Sequence, residues 1–328
     1  MQKIHEHFAF AISPAVQDTI TDQVNDPVAL QYVPRAEELH IQDFESSDPI
    51  WDDDYSPTPG VVHRYPDRCL IKISNVCPVY CRFCFRKEKI GPGSPALSSK
   101  DRANAYAYIH HHPEIWEVIL TGGDPLILNP NVLREVISAL AEIPHVQVIR
   151  IHTRVPLSDP KRINDALLDA LKTSKMLIIA VHANHAQEFS EEARQALKKI
   201  RCRGIPMLSQ SVLLKEINDN AETLMCLMRT FMENGVKPYY LHQLDPARGT
   251  SHFHVSIERG QALMKQLRGR LSGVCQPMYV IDIPGGFGKS PIGPHYLNSD
   301  KSGVEDFRGQ MHPISDFTKN LNSKEANK

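Results

Sequence analysis

The sequence predicts an α/β fold, a partial (β/α)6 barrel with an N-terminal, mostly helical extension. Two patterns predict it. From Cys69 onward, short β-branched runs alternate with longer amphipathic stretches, the order that gives parallel strands with right-handed crossovers. Polar and chemically versatile residues then fall just past the apolar runs, where a parallel barrel gathers its chemistry. About six strand–helix units are too few to close an eight-stranded barrel, so the barrel is expected to stay open.

Strands are expected at residues 69–74, 116–120, 146–151, 176–181, 206–211, 237–242 and 278–282. Helices are expected near 99–111, 131–142, 161–172, 190–202, 220–234 and 256–270. Residues 1–60 differ: short helical patterns lead into an acidic, aromatic, proline-rich stretch at 48–60, which reads as a wrapping extension. Residues 61–297 carry the barrel and 298–328 a polar tail, expected to fray after about residue 316.

The 328 residues suffice for a substantial core. A formal net charge of −1 argues against a nucleic acid or a membrane surface held by bulk electrostatics. The sequence shows neither eighteen consecutive apolar residues nor a secretory signal, so no spanning helix or export is expected. Seven cysteines, three of them clustered, fit a reducing compartment, and the expected location is the cytoplasm.

Cys77, Cys81 and Cys84 form a C-x₃-C-x₂-C triplet just after the first strand. Three thiolates on one tight loop can hold three irons of a [4Fe–4S] cluster. The remaining iron then has no protein ligand and is open to a substrate or cofactor. A structural zinc site needs a fourth ligand, and no C-x₂-C or C-x-H partner follows at a plausible distance. Cys69, Cys202, Cys226 and Cys275 are scattered and read as ordinary buried thiols. The triplet, with Phe83 directly before its last cysteine, resembles the cluster loop of the radical S-adenosylmethionine enzymes. That resemblance implies that the open iron chelates the amino acid end of S-adenosylmethionine. An electron from the cluster then cleaves it to a 5′-deoxyadenosyl radical.

Lys289 stands in a second distinctive segment, Pro-Gly-Gly-Phe-Gly-Lys. A lysine there can neutralise a phosphate or form an imine with an aldehyde cofactor such as pyridoxal phosphate. The nucleotide-loop pattern fails, because Ile283 stands where its first glycine belongs and Pro291 opposes a following helix. Taken with Pro66-Asp-Arg68, Gly122-Gly-Asp-Pro-Leu126, Ile151-His-Thr-Arg154, His182-Ala-Asn-His185 and Ser209-Gln-Ser, the chain resembles the lysine 2,3-aminomutase family from about Val61 to Leu297. The elongation factor P-associated members are included.

The resemblance implies that Lys289 anchors pyridoxal phosphate, that Arg68 pairs with its phosphate, and that Gln210 adds a hydrogen bond. A guanidinium suits a phosphate, although Arg68 could instead pair with Asp67 or Asp54. Phe83, Thr121, Gly122, Gly123, Asp124 and His182 map onto the S-adenosylmethionine site, the glycines being expected to allow close backbone approach of the ligand. Arg86 maps onto a clamp for the substrate carboxylate, and Asp245 with Asp282 onto the seat of a distal ammonium.

Two aspartates would attract an ammonium and repel a side-chain carboxylate, which favours L-lysine over glutamate. Each aspartate could otherwise be a turn or cap residue. The implied reaction moves the α-amino group of lysine to C3, giving β-lysine. An electron donor such as flavodoxin or ferredoxin is implied as a partner, and a homo-oligomer is compatible with the sequence. Residues 241–253 look more like the elongation factor P-associated members, whereas Asp282 to Lys289 resembles the metabolic ones.

Overall fold

The structure, a computed structural model, describes residues 8–94 and 96–315. Its nine-stranded sheet runs in chain order: β1 (Val61–Tyr65), β2 (Arg68–Ser74), β3 (Glu117–Gly122), β4 (Val148–Thr153), β5 (Met176–His182), β6 (Met207–Val212), β7 (Val236–His242), β8 (Met278–Ile283) and β9 (Gly288–Pro291). Strands β2 to β8 pair in parallel, so all seven expected strands are present. The edges β1 and β9 fold back antiparallel on β2 and β8. They are not paired with each other among the described residues, and the barrel is open. Alternation missed these two strands because each returns through a tight turn with no helix between.

Six helices make the crossovers: Ser99–His110, Pro130–Ala141, Asp165–Ala170, Glu191–Cys202, Ala221–Glu233 and Ile257–Leu267. Each starts at a serine or asparagine (Ser98, Asn129, Asn164, Ser190, Asn220, Ser256) whose side chain accepts a first-turn N–H. That satisfies one of the donors a helix start leaves free. Apolar residues three and four apart, such as Leu133, Val136, Ile137 and Leu140, bury one stripe against Ile71, Leu120, Ile149 and Ile179 of the sheet. The helix expected at 161–172 is broken. Pro156 and Pro160 stop the chain in short turns, and Asn164 caps a new helix.

The extension holds only single turns, Pro14–Gln17, Ala29–Tyr32 and Ala36–Leu39. Buried polar contacts fix it instead. Glu38 (0% exposed) takes the guanidinium of Arg82 (2% exposed) at 2.6 to 3.1 Å, with Lys87 at 3.4 Å, and Arg82 also reaches the carbonyl of Ala9. Arg82 stands between Cys81 and Phe83, so the extension grips the cysteine loop itself. Within the expected tail, β10 (Gly303–Glu305) and β11 (Met311–Pro313) form a hairpin. The stretch expected to fray, after residue 316, lies outside the described residues. Among the described residues, no helix is long and apolar enough to cross a membrane.

Removing one partner of a buried ion pair strands the other, at a cost of about 3–5 kcal/mol. Glu38→Ala should therefore lower the thermal midpoint well beyond the effect of Glu37→Ala, an exposed neighbour, when both are followed by circular dichroism.

Candidate active site

The C-terminal ends of β2 to β8 open into one cavity of about 270 Å³, and every residue singled out above for a site role lines it. Positions from 77 to 282 meet there because parallel strands present their C-terminal ends on one side, while Arg68 lines it from the start of β2 and Lys289 from the antiparallel edge β9.

The cysteine loop leaves β2 at Ser74 and crosses the end of β3. A Cβ on Gly122 would lie 2.2 Å from the carbonyl oxygen of Ser74, and one on Gly123 2.3 Å from that of Val76. The Gly123 and Asp124 N–H groups donate to those same two oxygens, at 2.5 and 2.9 Å. The close passage of the protein's own backbone already requires glycine at both positions, apart from any approach of a ligand. Gly122 also adopts φ +116°, a conformation side chains rarely accept. The Asp124 carboxylate is occupied too, accepting from Leu126 N–H, Thr153 Oγ1 and Arg154 N–H at 2.7 to 3.0 Å. It ties the end of β3 to that of β4.

Cys77, Cys81 and Cys84 are free thiols facing the cavity. Burial pushes all three up, Cys81 to about 11; neighbouring thiolates add to the effect at Cys77 and Cys81, whereas Arg86, Lys87 and Arg154 oppose it at Cys84. Three buried thiolates therefore need a strongly cationic partner. No three His, Cys, Asp or Glu side chains among the described residues are arranged to hold a single metal ion. A [4Fe–4S] cluster instead takes one thiolate at each of three separate irons, and this donor set fits it. Phe83 is buried against Phe253, with the Arg154 guanidinium 5.6 Å from its ring centre.

His182 ends β5 beside Gln210 of β6. Its Nε2 is buried without a partner, and burial pushes the ring down to about 3, so it is neutral. His152 packs edge-on to it at 5.4 Å and has the same orphaned Nε2. Neutral imidazoles with a spare ring nitrogen suit a ligand such as a nucleoside. The Gln210 amide has no partner among the described residues, leaving it free for another bound group.

Lys289 sits in strand β9, directly opposite Asp282 of β8, with Nζ on Oδ1 at 2.8 Å. The expected glycine-rich loop is thus a tight turn that delivers the lysine from a strand. Arg68 pairs with Asp67 at 2.6 Å, the alternative contact considered from sequence, while its guanidinium lies 3.7 Å from the Tyr65 ring centre at the cavity. Amine, guanidinium and amide on one cavity are the donors that pyridoxal phosphate requires.

Arg86 is already paired. Asp52, from the extension, takes its Nε and Nη2 at 2.8 and 2.7 Å and also holds Arg64 at 3.1 Å. Asp52 is 1% exposed and kept ionised by these guanidinium groups despite its burial. Sequence reasoning passed over it as part of the acidic stretch of the wrapping extension; the available signal was two arginines in need of a counter-charge. Asp245 and Asp282 face the same space. The Asp245 carboxylate has no hydrogen bond or ion pair with a described residue, and burial together with the Asp282 charge pushes it up to about 7. Asp282 is held far below the usual carboxylate range by His242 and Lys289, which outweigh its burial. His242 was not singled out from the sequence, although its place at the end of β7 marked it.

A methyl group on Gly123 would strike Val76 and displace the residue next to Cys77. Gly123→Ala should destabilise the chain by about 1–3 kcal/mol and cut iron per chain well below wild type, measured by iron analysis after anaerobic reconstitution. Cys202→Ala, an exposed thiol away from the loop, should retain full iron.

Comparison with known proteins agrees with this geometry. Residues 71–227 match the model of the radical SAM superfamily. The chain is 39% identical to a putative L-lysine 2,3-aminomutase of Aquifex aeolicus, covering 93% of this chain and 84% of that protein. It is also 39% identical to the L-lysine 2,3-aminomutase of Acetoanaerobium sticklandii, covering 91% and 73%. A glutamate 2,3-aminomutase of Clostridioides difficile is 36% identical over 91% of this chain and 71% of its own. On the cysteine loop, the open parallel barrel and these relatives together, the chain belongs to the lysine 2,3-aminomutase family of radical S-adenosylmethionine enzymes.

Proposed function

We propose that this enzyme moves the α-amino group of L-lysine to C3, giving β-lysine. The Asp245 and Asp282 pair carries the choice of substrate. Two carboxylates on one enclosed space, one of them without a cation, match a distal ammonium and would repel the side chain of glutamate.

The bound groups supply the hard chemistry: reduced cluster and S-adenosylmethionine give a hydrogen-abstracting radical, and pyridoxal phosphate an aldehyde that carries nitrogen. The chain supplies placement. Cys77, Cys81 and Cys84 hold the cluster, while Phe83, residues 121–124 and His182 border the S-adenosylmethionine space. Lys289 anchors pyridoxal phosphate, with Arg68 at its phosphate and Gln210 beside it. Arg86 receives the substrate carboxylate, and Asp245 and Asp282 its ammonium. Held at both ends, the substrate keeps its reacting carbons in place inside a cavity that limits water. A flavodoxin- or ferredoxin-type donor supplies the electron. All seven cysteines are free, which suits the reducing cytoplasm.

The cofactor sites should separate by mutation. Cys77→Ala, Cys81→Ala or Cys84→Ala should lose the iron but keep pyridoxal that borohydride fixes to the chain. Lys289→Ala should do the reverse. Iron analysis and mass spectrometry of the reduced protein decide this, and pyridoxal still fixed to the Lys289→Ala chain would sink the anchor assignment.

Asp245→Asn or Asp282→Asn should cost about 2–5 kcal/mol in lysine kcat/KM, leaving S-adenosylmethionine and pyridoxal binding intact. The pH dependence has a definite sign. Below about pH 7 the free site keeps Asp245 protonated, whereas a bound ammonium favours its ionised form. Lysine binding then expels a proton, so KM should fall up to about tenfold per unit as pH rises towards 7, then level. The anaerobic assay is lysine with S-adenosylmethionine, pyridoxal phosphate and reductant, read by chiral separation of β-lysine. A KM independent of pH and unchanged in both variants would count against the ammonium seat.

A further inference from the structure

Asp282 is flanked on both sides. Lys289 lies opposite it on β9, with Nζ 2.8 Å from Oδ1. On the other side His242, the last residue of β7, stands beside Val280 of β8, which places Asp282 on the same face one pleat further along. His242 Nδ1 is 3.5 Å from Asp282 Oδ2. The ring packs edge-on to Tyr240 at 5.5 Å, and its Nε2 is buried without a partner. A neutral imidazole carries one N–H, and among the described residues the acceptor in reach is at Nδ1.

We infer that His242 is the positioning residue for Asp282: its Nδ1 N–H holds Oδ2, so that Oδ1 is presented to an ammonium in the cavity. This rests on the reading of Asp245 and Asp282 as the seat of the substrate's distal ammonium. Oδ1 has two clients in turn. In the free chain it is the Lys289 amine; in the substrate complex it would be the distal ammonium, which joins or displaces that amine. His242 is then the donor that keeps Asp282 oriented and ionised.

The same contact makes the two carboxylates unequal. Groups facing them are Lys289 from β9, His242 from β7, and Arg86 and Asp52 across the cavity, with His182 of β5 facing His242. Of these, His242 stands within 3.5 Å of the Asp282 carboxylate and has no such contact with Asp245. Burial holds the ring below the ordinary histidine range, so it stays a neutral donor at working pH.

The test compares wild type, His242→Leu and His242→Asn, the last keeping an amide N–H near the Nδ1 position. Lysine KM measured from pH 5.5 to 8.5 should rise about tenfold or more at pH 7 in the Leu variant. The pH at which KM levels should stay near that of wild type, because Asp245 sets it and His242 reaches only Asp282. Saturated kcat should change little, and the Asn variant should recover most of the loss. A second readout needs no lysine: the pH titration of the pyridoxal absorbance, which feels Asp282 through Lys289, should shift upward in the Leu variant alone. Unchanged profiles in the Leu variant overturn the proposal, as does an Asn variant equally impaired. If wild type does not turn over lysine while the lysine-free titration moves as described, the substrate reading falls and the positioning of Asp282 by His242 stands.

Discussion

The passage of the cysteine loop over the end of β3 is the constraint on which the site depends. Ser74 and Val76 run so close to Gly122 and Gly123 that no side chain fits between them. From that crossing a chain of polar contacts spreads outward. Asp124 fastens the crossing to Thr153 and Arg154 at the end of β4. Arg154, buried, shares Glu188 with Tyr32 and so draws in the extension. Arg82 closes the circuit by joining the cysteine loop to Glu38. Each link buries a charge or a backbone group that must stay paired, so the loop is held rigidly although it has no regular secondary structure.

Charge balance explains a second feature of the cavity. In the free chain both charged ends of an amino acid such as lysine already have counterparts within the protein. The Asp52 carboxylate rests on Arg86, and the Lys289 amine rests on Asp282. An empty low-dielectric site with an unpaired guanidinium or carboxylate would be costly, so neighbouring side chains fill the role. The Asp245 carboxylate has no paired cation among the described residues, and it responds by taking up a proton near neutrality. On the lysine reading, the substrate carboxylate joins or displaces Asp52 at Arg86. Its ammonium joins or displaces the Lys289 amine at Asp282. The net cost of charging the site is then shared between protein and ligand.

Much of this was legible in the sequence, and what was not has physical causes. The seven parallel strands and most crossovers follow from apolar periodicity, which records burial directly. The strand-end residues followed in turn, because a parallel barrel gives them one destination. Hairpin strands β1 and β9 were missed because they are short edges with no helix to announce them. Their omission hid the reason Lys289 meets Asp282: the two are cross-strand neighbours, not residues of a loop. Gly122 and Gly123 were found, but not the backbone of Ser74 and Val76 that also demands them, since a sequence shows that space is needed and not what fills it.

The residues that escaped altogether are those whose function is to hold another residue. Asp52 lies in a stretch with no periodicity and is defined by Arg64 and Arg86, which reach it from β1 and from the loop after β2. His242 is defined by a neighbour 40 positions away in the chain, brought beside it by the register of β7 and β8. A residue that touches a ligand can be inferred from its own chemistry, because the ligand's needs are few and known. A residue that acts through a partner carries no such mark: imidazole and carboxylate are common, and only their separation makes them a pair. That separation is a property of strand register, which a single sequence does not state.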